Sequence, residues 1–133
     1  MTLKQAIAIC DELRPGNRFS NELKTRWINE LVGRIHTQVW LESMTTWQYF
    51  VYEYEEGTDT GPILDIPIPY DRMFWVYLCA MVDFANGDYE KYKNTYEMFN
   101  DVLREYTIWY INTHQPGLLT PKLKEAEGYE YNA

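Results

Sequence analysis

"IPIPYDRMFWVYLCAMVDFANGDYEKYKNTYEMFN", residues 66–100, decides the fold, because it holds two helical patterns divided by one short break. In the first, Phe74, Leu78, Met81, Val82 and Ala85 line one face, while Trp75, Val76, Tyr77 and Cys79 fill much of the rest. A helix apolar almost all round belongs at the centre of a domain. It is expected from about Tyr70 to Asn86, with Pro69 in its first turn, where a missing N–H costs nothing. Gly87 then suits the residue just past a helix end, and Asp88 suits the N-cap of the next helix.

That next helix is expected from about Tyr89 to His114. Tyr89, Tyr92, Tyr96, Phe99, Leu103, Tyr106 and Tyr110 are spaced alternately three and four apart, a heptad seam made mostly of rings. Met98, Val102 and Trp109 form a second stripe beside it. One stripe is enough to bury a helix against its own core. A second, edged with tyrosine hydroxyls, points to a broad core or to a surface for another subunit, with Tyr106, Trp109 and Tyr110 as candidate protein contacts.

Toward the N-terminus, Thr2 and Gln5 have the spacing of a capping box. Leu3, Ala6, Ile7 and Cys10 make a stripe that closes at Leu13. "RPGN", residues 14–17, supplies turn chemistry. Ser20 then caps a helix expected to reach about Glu42, with Leu23, Trp27, Leu31, Ile35 and Val39 in line and Ile28 and Val32 widening the stripe. Gly33 weakens this helix without dividing it.

Between the second and third helices the character changes. "WQYFVYEYEE" alternates and is rich in aromatic and β-branched residues, "GTDTG" is turn-like, and "PILDIPIP" is extended. Pro67 and Pro69 exclude a central strand. The reading is a small β-hairpin insertion at about 45–68, with an acidic tip of Glu53, Glu55, Glu56 and Asp59. Glu53, Glu55 and Glu56 join the candidate contact residues. "EYEEGTDTG" lacks the ligand spacing of an EF-hand loop, so the tip reads as a solvated turn. The fold expected is mainly α: a four-helix bundle-like domain over 1–116 with this hairpin, then a flexible tail over 117–133.

The 133 residues are enough for one domain with a core. A net charge of −8 gives no electrostatic footprint for gripping a phosphate backbone. Cys10 and Cys79 read as reduced core thiols. His36 and His114 have no Cys, Asp or Glu at ligand spacing, and no metal or cofactor site is expected. There is no GxSxG, no phosphate-cradling glycine loop and no Cys–His pairing. Asp71 and Asp83 read as a helix cap or as partners of an arginine such as Arg72 rather than as acid and base. No catalytic residue is assigned, and an enzyme is not expected. The longest apolar run, residues 73–82, reads as a buried helix rather than a membrane span.

Residues 64–114 also resemble a group of small head–tail connector (adaptor, head-completion) proteins from phages and prophages of Firmicutes. The matching features are Pro69-Tyr70-Asp71 at a helix start, Asn86-Gly87-Asp88 between helices, Tyr92 to Asn94, Phe99-Asn100, and Asn112 to His114. "AIAICDELRPGNRFSNELKTRWINELVGRIH" resembles the group's opening, so the likeness spans most of 2–116. Lys93, between Tyr92 and Asn94, departs from the pattern. The resemblance implies a structural virion protein in the head–tail neck, made in the bacterial cytoplasm. It would self-associate into a ring, bind portal and tail or stopper proteins, and line a channel through which DNA passes without tight binding. The alternatives are a tail-completion protein and a non-catalytic acidic inhibitory module.

Overall fold

The computed structural model describes residues 1–40, 51–57 and 64–114. They form four helices: α1 (Leu3–Leu13), α2 (Asn21–Gln38), α3 (Arg72–Ala85) and α4 (Tyr89–His114). Contacts between named residues fix their directions. Tyr77 meets Phe99, Thr95 bonds Asp83 and Phe84 meets Tyr92, so α3 and α4 are antiparallel. Arg34 bonds Tyr96, and Trp40, just past α2, bonds Tyr106, so α2 and α4 run in the same sense. The helices therefore alternate up, down, up and down.

The helix ends follow local chemistry. Thr2 Oγ1 accepts from the Gln5 N–H at 3.1 Å, while Gln5 Oε1 accepts from the Thr2 N–H at 2.8 Å, closing the capping box. Ser20 caps α2 through the Leu23 N–H. Gly87 has φ +77°, a left-handed conformation that a side chain resists. Asp88 Oδ1 accepts from the Lys91 N–H at the start of α4.

Alpha-3 is the central element. Met73, Phe74, Val76, Leu78, Cys79, Ala80, Val82 and Asp83 are all buried, and α1, α2 and α4 each pack on it. Its first helical residue is Arg72. Pro69 does not sit in the first turn but before it, after a cis Ile68–Pro69 bond, in a turn closed by the Tyr70 N–H donating to the Pro67 carbonyl. Alpha-2 ends at Gln38, short of the expected Glu42: Val39 caps it with its N–H donating to the Ile35 carbonyl and Trp40 is not helical, while 41 and 42 lie outside the described residues. The heptad seam of α4 is largely internal. Phe99, Leu103 and Tyr106 are buried, and Val102 of the second stripe is buried with them. Tyr89 and Met98 are exposed.

The β-hairpin insertion is not supported, because the described residues contain no strand. The parts expected at 45–50 and 58–63, Asp59 included, lie outside the described residues, as does the tail at 117–133. What 51–57 and 64–66 do instead explains the correction. Both backbone polar groups of Tyr52 bond the side chain of Asn29: its N–H to Oδ1 at 2.8 Å and its carbonyl to Nδ2 at 2.9 Å. An asparagine on α2 thus takes the position that a neighbouring strand would hold. The Leu64 N–H donates to the Met1 carbonyl at 3.0 Å. Tyr52, Leu64 and Ile66 then anchor these segments in the core.

Candidate interaction surface

At one pole of the bundle, the end of α2, the approach to α3 and the last turns of α4 enclose a cleft of about 540 Å³. Its walls include Trp40, Tyr52, Phe74, Tyr106, Trp109 and Tyr110, with Asp65, His36 and His114 adding polar groups. The rings are in mutual contact. Trp40 Nε1 donates to Tyr106 Oη at 2.7 Å. Tyr70 lies 5.8 Å from Tyr106 and 5.6 Å from Trp109, between ring centroids. Tyr110 stacks on His114 at 4.0 Å, and His114 Nδ1 is 3.0 Å from the Tyr110 carbonyl. Each such ring pair adds about 0.5–1.5 kcal/mol beyond the area it buries.

Burial holds three of the cleft's titratable side chains toward their neutral forms. Burial pushes Tyr106 up to about 12, against the smaller opposing effect of the Trp40 N–H. Burial also lowers His36, which favours the uncharged imidazole, and raises Tyr52, with the Asp65 carboxylate adding to the rise. An aromatic wall with hydroxyl, imidazole and one carboxylate edge suits contact with another largely apolar surface.

The structure therefore brings Tyr106, Trp109 and Tyr110 together, but not in equal roles. Tyr106 is 2% exposed and belongs to the core. Trp109 and Tyr110 are half-buried and pack against that core with their outer parts at the surface. Glu53, Glu55 and Glu56 are all exposed, on the segment that Asn29 holds. Glu53 borders a second, shallower depression of about 580 Å³, with Glu22, Arg26, Asn29, Glu30 and Tyr54. Tyr52 lines both depressions and is the bridge between the aromatic and the acidic groups. Trp40 and Tyr52, which line the cleft, and Tyr70, which packs on its rings, are not among the expected contact residues. They come from three separate segments, and only the fold makes them neighbours.

At the opposite pole lies a charged cluster. Arg14 donates from Nε to Asp83 Oδ1 at 2.7 Å and from Nη2 to Asp83 Oδ2 at 2.9 Å. Thr95 bonds both groups, at 3.2 Å to Arg14 and 3.1 Å to Asp83. Asp83 thus pairs with an arginine, but not with Arg72, which lies 3.9 Å from Glu105 on the far turn of α3. Asp71 gives α3 no side-chain cap and sits 3.9 Å from the Met1 ammonium. Lys24, though buried, reaches Asp11 at 2.6 Å. Among the described residues no cluster of three or more His, Cys, Asp or Glu could hold a metal ion, and no described helix is long and apolar enough to cross a membrane.

Comparison with protein-family models, with curated proteins and with solved structures finds no match to this chain.

Proposed function

We propose that this protein is a structural subunit of a phage particle, a head–tail connector that joins the portal to the tail and lines the DNA channel. The observation that carries the reading is the position of Trp109 and Tyr110. They are half-buried, braced by Tyr70, Tyr106 and Trp40, and open on one side. Rings held rigid from behind lose little entropy on docking, which makes them efficient anchors between subunits. The exposed Glu53, Glu55 and Glu56 and the net charge of −8 complement this. A negative surface releases no counterions from DNA and so lets a duplex pass without being held.

Purified portal protein supplies the test. Solution mass is measured for the chain alone, for the portal alone and for the mixture. A connector adds a ring of copies to the portal, and Tyr110→Ala or Trp109→Ala weakens that addition by at least tenfold while leaving the helical content unchanged. A tail-completion protein binds tail components and leaves the portal mass unaltered. A stable monomer that binds neither, and instead competes with DNA for a host protein, fits an acidic inhibitory module.

A further inference from the structure

Cys10 and Cys79 belong to neighbouring helices and meet in the core. Both thiols are free, and the residues are 0% and 2% exposed. The register of α1 on α3 fixes their meeting. Arg14, the residue capping the end of α1 with its N–H donating to the Cys10 carbonyl, is joined to Asp83, four residues beyond Cys79 in α3, by two hydrogen bonds of 2.7 and 2.9 Å. A step of four in both helices keeps side chains on one face. At the other end the Met1 ammonium lies 3.9 Å from Asp71, so α1 and α3 run in the same sense and the thiol pair is the next layer below the ion pair.

We infer that Cys10 and Cys79 form a reversible intrachain disulfide that ties α1 to α3 under oxidising conditions. The two thiols lie close enough to perturb each other's ionisation. The adjacent Cys10 thiol favours the Cys79 thiolate against the effect of burial, with the Arg14 charge adding to it, whereas the adjacent Cys79 and burial keep Cys10 protonated. Cys79 is accordingly the first nucleophile. With a small dialkyl disulfide as oxidant, the Cys79 thiolate attacks one sulfur and expels one alkyl thiolate. Cys10 then loses its proton, attacks the Cys79 sulfur of the mixed disulfide and expels the second. The protein dithiol gives up two electrons and two protons, and the oxidant becomes two thiols. Because both sulfurs are covered, exchange proceeds through a transient opening of α1.

Glutathione disulfide serves as the probe. The full chain is incubated with it in native buffer and, separately, refolded from urea in the same buffer, so that burial cannot protect the thiols in the second arm. The expected product is a monomer lighter by two hydrogens, with no thiol titratable after denaturation and with the peptides carrying Cys10 and Cys79 linked. Its thermal midpoint rises by roughly 5–15 °C, as expected for closing a long loop, and falls back on reduction. Cys10→Ser ends instead as a stable glutathione adduct on Cys79. Two free thiols after refolding, glutathione adducts on the unaltered chain, or disulfide-linked dimers would each overturn the inference.

Discussion

Arg14 and Asp83 meet through two hydrogen bonds, at 2.7 and 2.9 Å, although 69 positions separate them in the chain. The Asp83 side chain is 3% exposed and that of Arg14 19%, so the two partners are not equivalent. Removing the arginine leaves a carboxylate in the core with Thr95 as its remaining described partner. Removing the aspartate leaves a guanidinium that can turn toward water.

Arg14→Ala is therefore expected to lower stability by about 3–4 kcal/mol and Asp83→Ala by less. Replacing both with apolar residues, Arg14→Met with Asp83→Leu, recovers most of the loss, because no buried charge remains. Urea unfolding of the two single variants and the double variant reads this directly. Equal losses in all three would show that the pair contributes more than it costs.

Asn29→Ala removes both hydrogen bonds to the Tyr52 backbone and should cost about 1–3 kcal/mol. The sharper signal is local. The Tyr52 amide should exchange with deuterium far faster, while amides in the middle of α3 keep their protection. Asn29→Asp retains an acceptor for the Tyr52 N–H but leaves its carbonyl unmatched, and should fall between the two.

Tyr106 makes stability depend on alkaline pH. Its hydroxyl ionises near 12 in the folded chain and near 10 when unfolded. The stability it contributes is complete below pH 10 and is lost as pH rises toward 12, because the unfolded chain releases the proton first. Tyr77 behaves alike, burial pushing it up to about 12. Absorbance titration should show these two phenols ionising late, and Tyr106→Phe should remove one of them and flatten the alkaline loss.

Core and edge rings are expected to separate cleanly. Phe99→Ala, at a position with no exposure, should cost about 3–5 kcal/mol. Tyr89→Ala, at a position 64% exposed, should stay within about 0.5 kcal/mol of the parent in thermal or urea unfolding.

Much of this architecture is legible in the chain because it depends on neighbours in sequence. The Thr2–Gln5 box, Ser20, Gly87 and Asp88 mark helix ends correctly, and both bounds of α4 follow from its spacing. The insertion misled for a physical reason. Alternation and β-branched residues say only that a segment is extended, and Asn29 satisfies Tyr52 where a strand was expected. Asp83, inside an apolar helix, signals that it needs a cation. Nothing local says that the cation is Arg14, which reads as part of a turn. Likewise Trp109 and Tyr110 stand out in the sequence, but their bracing by Trp40 and Tyr70 exists only once the helices are paired.

The connection between α3 and α4, Asn86 to Asp88, has three residues and no slack. One residue added inside α4 just before Phe99 would rotate the rest of that helix by about 100°, swinging Phe99 and Tyr106 out of the interior and Glu105 into the place of Tyr106. At the other pole, α2 and α3 are joined by a long stretch whose described residues meet the core at Tyr52, Leu64 and Ile66. The long α2–α3 connection, at the pole that carries the aromatic cleft, can therefore change length at less cost to the packing of the helices than the three-residue α3–α4 link.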